Sequence, residues 1–556
     1  HHEQACAMAA QSYARVTGRP ALVNVTTGPG GTNALSGVFG AWVDSLPMIV
    51  VSGQVKRETQ VSSTGLPLRQ LGDQEVEITR VVAPITKYVA CISDPSRTVY
   101  EVERALHLAR TGRPGPVWLD VPVDVQGALV QSESLAHYRP EQDALRYDSE
   151  LPSSVDALFE RLSAARRPVI IPGSGVRLSG AYEDFLRVIA GLGIPVTTAF
   201  NAHDLLPFDH PLYVGRPGTV GDRPGNFAVQ NADFVLVLGC RLNIRQIGYA
   251  WKTFARHATI AMVDVDAAEL RKPTLSVDLP IHAHLADFFR EVERRLPLAP
   301  NPAHAEYLRW CRERLARYPV VLPSYEQAPA PVNPYVFAKR LFERLPEDAI
   351  TVTANGTACV TTFQAAVLRG RQRLFSDSGS APMGFDLPAA LGAAMAAPGR
   401  RIACLAGDGS IMMNLQELAT IAGRQLPISI FLLDNAGYHS IRQTQKAFFP
   451  DGLMGFDEAT GVAFPDFSKL MPAFGLPYRR VEAHAELPEA LEWCLSQPAA
   501  SVCHVILDPS QPFAPKSASR RLSDGRMVSA PLEDLAPFLS REELAENLLI
   551  PPLEAF

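Results

Sequence analysis

The chain has 556 residues, 47% hydrophobic and 20% charged, an ordinary globular composition that is too long for one core, so two to four domains are expected. Its formal net charge of −6 provides no electrostatic footprint for nucleic acid or an anionic membrane surface, so any anion must be captured locally. No apolar stretch reaches the roughly 18–20 residues of a membrane span, and eight cysteines without a close pair point to a reducing cytoplasm.

Short β-branched runs alternate with longer segments of helical period, which is the pattern of βαβ units and mostly parallel sheets. The first block has strand candidates at 21–27, 48–55 and 117–125 and fades into a polar stretch at 131–149. A second has candidates at 167–173, 194–199, 233–239 and 260–266. After a Pro-rich linker at 323–334, a third has them at 349–353, 402–406, 428–434 and 502–507, and the alternation then fades. The expected fold is α/β, with three doubly wound parallel-sheet domains over 1–145, 151–322 and 334–510 and a tail over 511–556.

The sharpest motif is Gly407-Asp408-Gly409-Ser410, directly after an apolar strand candidate, with Asn435 twenty-seven residues beyond Asp408. One helix and one strand fill that interval, so a parallel sheet brings both strand ends side by side, where such folds bind ligands. A carboxylate, an amide oxygen and a backbone carbonyl are hard ligands suited to Mg²⁺, which completes its octahedron with phosphate oxygens. Gly407 and Gly409 permit close backbone approach, and a following helix N-terminus favours a diphosphate.

With these residues the sequence resembles the thiamine diphosphate (ThDP) dependent enzymes, specifically the acetolactate synthase group, from His2-Glu3-Gln4 to about Pro509. The resemblance implies ThDP and Mg²⁺ as cofactors, with Asp408, Asn435 and the Gly437 carbonyl as metal ligands. Gly356, Gly407, Gly409 and Ser410 are then cofactor-binding residues, and Met383 wedges between the two ThDP rings and holds the cofactor bent. Glu3 matches the family's catalytic glutamate, which donates to N1′ of the aminopyrimidine and so activates the cofactor. Because the chain opens on His1, already inside this motif, a preceding segment is expected to be missing. Gly30, in Thr27-Gly28-Pro29-Gly30, resembles the family's turn beside the cofactor. Gln74 resembles a glutamine that faces the reacting carbon, although 56–73 looks longer than in the family and Asp73 stands where phenylalanine is usual.

The middle block resembles the FAD-binding domain of acetolactate synthases through Gly173, Gly175, Gly218, Arg241, Arg245 and Asp264, with Ala283-His284 in place of a usual Gly-Asp pair. Cationic Arg241 and Arg245 suit phosphates, and Asp264 suits an adenosine ribose or ring edge. Near the expected acceptor pocket Val123 replaces a lysine and Thr444 a tryptophan, so a more open, more polar pocket is expected. The implied reaction is decarboxylation of pyruvate with transfer of the two-carbon unit to a second 2-oxo acid.

Alternatives stay open. The basic tail, with Lys516, Arg520, Arg521 and Arg526, resembles acetolactate-synthase-like proteins of deoxysugar and polysaccharide biosynthesis, for which the acceptor is a keto-sugar nucleotide or another ketone. A pyruvate oxidase, a simple decarboxylase or a non-enzymatic cofactor-binding protein are further readings, and the tail is a candidate cover for the active site. In this family the cofactor lies between the glutamate-bearing domain of one subunit and the diphosphate domain of another, which implies a homodimer or homotetramer.

Overall fold

The computed structural model describes residues 1–147, 150–521 and 524–553; Asp148 and Ser149 of the polar stretch and 522–523 and 554–556 of the tail lie outside the described residues. The apolar runs form three sheets. In the first, β1 (Ala21–Val25), β2 (Met48–Gln54), β3 (Tyr88–Cys91) and β4 (Pro116–Pro122) lie in the order β1-β2-β4-β3. In the second, β5 (Pro168–Pro172), β6 (Phe234–Leu238), β7 (Thr259–Asp264) and β8 (Leu279–His282) follow chain order. The third takes β9 (Ile350–Thr353), β10 (Arg373–Ser376), β11 (Ile402–Gly407), β12 (Ile428–Asp434), β13 (Tyr478–Val481) and β14 (Ser501–Ile506) in the order β10-β9-β11-β12-β14-β13. Every pairing in these sheets is parallel, as expected of an α/β chain.

Two expected strands are corrected. The run 117–125 leaves the sheet at Pro122, and Val123–Gln126 turns into a short helix. The run 194–199 makes only a bridge, Val196 beside Ile170 and Tyr213, because Pro195 has no N–H for a ladder. That bridge still matters to topology. It puts the chain after β5 on the side away from β6, so the strand order reverses between β5 and β6; in the third sheet it reverses between β9 and β11. Open α/β sheets bind ligands at the carboxyl ends of strands at such reversals.

Helix Glu3–Thr17 buries Ala5, Ala7, Met8, Ala10 and Ala14, because it is clamped between two other helices. Small residues make both crossings possible: a Cβ on Gly37 of helix Leu35–Val43 would collide with Ala7, and one on Gly392 of helix Asp386–Ala396 with the Ala9 carbonyl. Two buried polar bonds fix the register, Gln11 Nε2 to the Gly37 carbonyl and Ser12 Oγ to the Ala389 carbonyl, both 2.7 Å. Gly392→Ala is expected to destabilise the chain by about 1–3 kcal/mol through overpacking, read as a lower Tm; an unchanged Tm would refute the close crossing.

The tail adds an antiparallel hairpin, β15 (Ser519–Arg521) with β16 (Met527–Ser529), and a short helix, Arg541–Glu546. Most of it docks on the second sheet's side. Leu532 joins that core, Glu533 accepts from Arg256 Nη1 at 2.7 Å, and Asn547 lies against Asn231. The stretch before the hairpin meets the third sheet's helix His439–Phe448, through Gln511 and Lys516.

Candidate functional site

At the reversal of the third sheet, the ends of β9, β11 and β12 bring Gly356, Asp408, Asn435 and Gly437 together. The Asp408 carboxylate is 4% exposed and accepts from the backbone of Gly409 (2.8 Å) and of Gly437 (2.7 Å), so it ties both turns. Burial, and then the neighbouring Asp434 carboxylate, push Asp408 up to about 7. Asp434 is half-buried, which would raise it, yet the hydrogen bond with His504 (2.8 Å) holds it below the usual carboxylate range. Asn435 donates its amide nitrogen to Thr357 Oγ1 at 2.8 Å, which leaves the amide oxygen for another partner.

Two glycines here face open ground. A Cβ on Gly356 would have nothing nearer than 3.9 Å, and one on Gly407 nothing nearer than 4.0 Å. Helix Gly356–Ala365 starts between them, with no side chain capping its first N–H groups, a suitable place for an anion. The structure adds detail to three of these positions. At Gly409 a Cβ would collide with the Tyr438 ring of the same chain, so the missing side chain makes room for that ring. The helix after Asp408 is a single turn, Asp408–Ile411, whereas the helix beginning at Gly356 runs on to Ala365. Ser410 is turned inward: its hydroxyl donates to buried Asp386 (2.5 Å) and accepts from Gly384 N (2.9 Å).

That inward bond shapes the segment carrying Met383. Asn355 holds the Ala381 carbonyl (3.0 Å), Ser410 holds Gly384 N, and Asn414 holds the Gly384 carbonyl (2.8 Å). Ala381 and Gly384 both have positive φ, and a Cβ at Gly384 would press on Met413. Met383 is therefore half-buried at the crest of a loop pinned on both sides.

The second cluster sits at the end of the first sheet. Glu3 opens its helix behind the N-cap His2, and its half-exposed carboxylate accepts from Asn33 Nδ2 at 3.1 Å. That bond first, and then backbone donation, hold Glu3 below the usual glutamate range. Gly28, with φ +64, lets the Gln74 carbonyl approach where any Cβ would collide, so the turn and the exposed Gln74 (φ +59) form one unit. Gly30 is packed against Thr26. Glu75 organises the long stretch before Gln74 by accepting from the backbone of Val61, Leu71 and Gly72. Within one chain the two sides touch where Asn414 donates to Gln4 at 3.4 Å and where the His1 amino group pairs with Glu417 at 3.0 Å. Asp73 and Val123 lie exposed on the first side, and Thr444, its hydroxyl bonded back to the Ser440 carbonyl, on the other.

A cavity of about 520 Å³ opens at the reversal of the second sheet, in the size range of small-ligand sites. Gly173, Gly175, Arg241, Arg245 and Asp264 line it, together with Asp44 and Arg113 from the first sheet's side and Ser378, Gly379 and Ala381 from the third's. Gly173 and Gly175 are required because a Cβ on either would strike the Gly239 backbone. Burial pushes Asp264, at the end of β7, up to about 6. Gly218 is corrected: it stands behind the wall, where its bare Cα lets the Arg245 carbonyl come close. His284 lines the cavity and caps helix Leu285–Glu293. Residues that the motifs did not disclose are Asn33, Thr357, Asp386 and Arg442, each acting through hydrogen bonds that no spacing announces.

Family models of the thiamine pyrophosphate enzymes match three stretches: the N-terminal TPP binding domain over 1–77, the central domain over 155–292 and the C-terminal TPP binding domain over 354–505. The chain belongs to the thiamine pyrophosphate enzymes. It is 32% identical to acetolactate synthase isozyme 1 large subunit of Escherichia coli K12, over 93% of this chain and 88% of the relative. The acetolactate synthase large subunit of Lactococcus lactis subsp. lactis IL1403 is 31% identical over 92% of this chain and 86% of its own length. Isozyme 2 of E. coli K12 is 30% identical, covering 93% and 90%. These matches place the chain among the acetolactate synthase large subunits, with domains that bind thiamine diphosphate. Among the described residues, no helix is long and apolar enough to cross a membrane.

Proposed function

We propose that this thiamine pyrophosphate enzyme decarboxylates pyruvate and joins the two-carbon unit to a second 2-oxo acid, forming 2-acetolactate or a close homologue. The observation that carries the reading is the meeting of Asp408, Asn435 and Gly437 at one sheet reversal beside an uncapped helix start. That donor set suits Mg²⁺: one carboxylate, one amide oxygen and one carbonyl leave room for two phosphate oxygens. Gly356 and Gly407 leave the space in which a diphosphate would lie. When bound, the thiazolium of ThDP supplies an electron sink for decarboxylation.

The chain's own residues supply binding, orientation and a proton. Met383 is held where an apolar side chain can keep the two rings apart. Glu3 is ionised in the free chain; an aromatic ring and a second subunit laid over it would remove water and raise its affinity for a proton, suiting it to donate to N1′. Gln74, exposed beside Gly28, would face the reacting carbon. The exposed Met412, Met413, Ile441, Phe448, Phe449 and Met454 around the Asp408 cluster support a homodimer or a dimer of dimers pairing one subunit's Glu3 with the other's Asp408. We take the domains as 1–145, 151–322 and 334–510, in a cytoplasmic protein. The relatives' names favour a 2-oxo acid over a keto-sugar as acceptor. Mass spectrometry of products from labelled pyruvate and a panel of acceptors tests the reading; CO₂ release without a new carbon–carbon bond, or H₂O₂ formation, would sink it.

The 520 Å³ cavity fits a dinucleotide, with glycines at the reversal, Arg241 and Arg245 for phosphates and Asp264 for a ribose. The purified protein is expected to be yellow, or to become so with FAD, and the flavin to keep its redox state in turnover because carboligation transfers no net electrons. An active, colourless protein with no flavin in its denatured supernatant would refute this.

Acceptor choice gives another test. At the three matched positions Thr444, Asp73 and Val123 supply neither an aromatic ring nor a cation, and Asp73 disfavours an anion. Wild type is therefore expected to discriminate weakly between pyruvate and 2-oxobutyrate, and Thr444→Trp to gain preference for 2-oxobutyrate. A competition assay in which wild type already prefers 2-oxobutyrate strongly would overturn the open-pocket reading.

A further inference from the structure

The turn leaving β12 carries three successive carbonyls, of Asn435, Ala436 and Gly437, and only one of them is left to face a ligand. Arg442, one turn into helix His439–Phe448, reaches back and donates from Nη1 to the Asn435 carbonyl (3.0 Å) and from Nη2 to the Ala436 carbonyl (2.6 Å). Its side chain is 9% exposed, and it is set between the Phe456 ring and the Asp457 carboxylate, 3.6 Å away. The peptide between Ala436 and Gly437 is thereby held at both ends, its oxygen by Arg442 and its N–H by Asp408. Phe456 closes the outside: its carbonyl accepts from Tyr438 N (2.7 Å) and lies where a Gly437 Cβ would be. Among the described residues nothing donates to the Gly437 carbonyl.

We propose that Arg442 is a positioning residue that sets the cation selectivity of this site, by withdrawing two carbonyls and aiming the third. The proposal rests on the Mg²⁺ reading of Asp408, Asn435 and Gly437. Mg²⁺ demands near-ideal octahedral geometry, whereas Ca²⁺ accepts more ligands at longer and looser distances. A turn freed of Arg442 can rotate the Ala436 carbonyl inward and let the Gly437 carbonyl swing. The site then loses the rigidity that Mg²⁺ needs and gains an oxygen that Ca²⁺ can use. Lysine would keep the charge without the two-pronged fork, so it repairs the geometry only partly.

The test titrates the full-length protein with MgCl₂ or CaCl₂ at fixed excess ThDP, following binding by calorimetry and intrinsic fluorescence, with no turnover required. Arg442→Met is expected to weaken Mg²⁺ by about 10- to 100-fold, the usual cost of losing an outer-shell partner, and Ca²⁺ by much less. The Mg²⁺ to Ca²⁺ affinity ratio should then fall about tenfold or more, with Arg442→Lys intermediate. Equal weakening of both cations, as general loosening of the fold would give, overturns the proposal, as does no change. If Arg442→Met fails to fold, Arg442→Lys and Asp457→Ala decide, and an unchanged ratio in both refutes it. Asp408→Ala separates the premises: if it binds Mg²⁺ like wild type, the metal-site reading itself has failed.

Discussion

Asp408→Ala is expected to abolish metal-dependent ThDP binding. Asp408 combines two tasks, offering the one carboxylate of the proposed donor set and holding the Gly409 and Gly437 amides. Alanine removes the charge that would offset the cation and frees both turns at once, so the loss should exceed the ~10- to 100-fold typical of an outer-shell partner. Asn435→Ala should act similarly, since it also unties Thr357. EDTA is expected to reproduce the effect reversibly in wild type, and an unchanged ThDP affinity in either variant would remove the assignment.

Proton linkage gives the same residue a second signature. Asp408 has a folded value of about 7, above the ordinary ~3.9 of an unfolded chain, so folding takes up a proton there between those values. The metal-free protein should therefore lose stability as pH rises from about 4 to about 7, and Asp386 and Asp264, raised by burial, act in the same direction. Mg²⁺ with ThDP should flatten this loss by stabilising the ionised form. If metal-free Asp408→Ala shows the same pH slope of Tm as wild type, the raised carboxyl is not Asp408.

Glu3→Gln is expected to leave ThDP and metal affinity nearly intact while cutting turnover by about 10²- to 10⁴-fold, the range for a lost proton-transfer group. The amide keeps the shape of the side chain and can still contact Asn33, so the fold of helix Glu3–Thr17 is spared. What disappears is the acid that N1′ requires. Hydrogen–deuterium exchange at C2 of the bound cofactor reads this step alone, and fast exchange in the variant would show that Glu3 is not the activator.

The sequence by itself determined the central strands, because a strand buried on both faces reads as a nearly continuous apolar run, as β6 and β11 do and β12 does apart from Ser429 and its terminal Asp434. It also marked Asp408, Asn435, Glu3 and the glycines of the second sheet, whose chemistry depends on residue type and on strand ends. The edge strands β3, β8, β10 and β13 escaped because three of them are largely half-exposed or exposed and β10 flanks two apolar residues with Arg373 and Ser376. Only the tertiary structure decided that Gly409 serves Tyr438, that Ser410 points inward to Asp386, and that Gly218 backs Arg245. Those outcomes depend on which side of a turn another element packs. The same holds for Arg442, Asn33 and Thr357: a hydrogen bond between side chains brought together by folding is set by three-dimensional contact, and nothing in the local sequence encodes it.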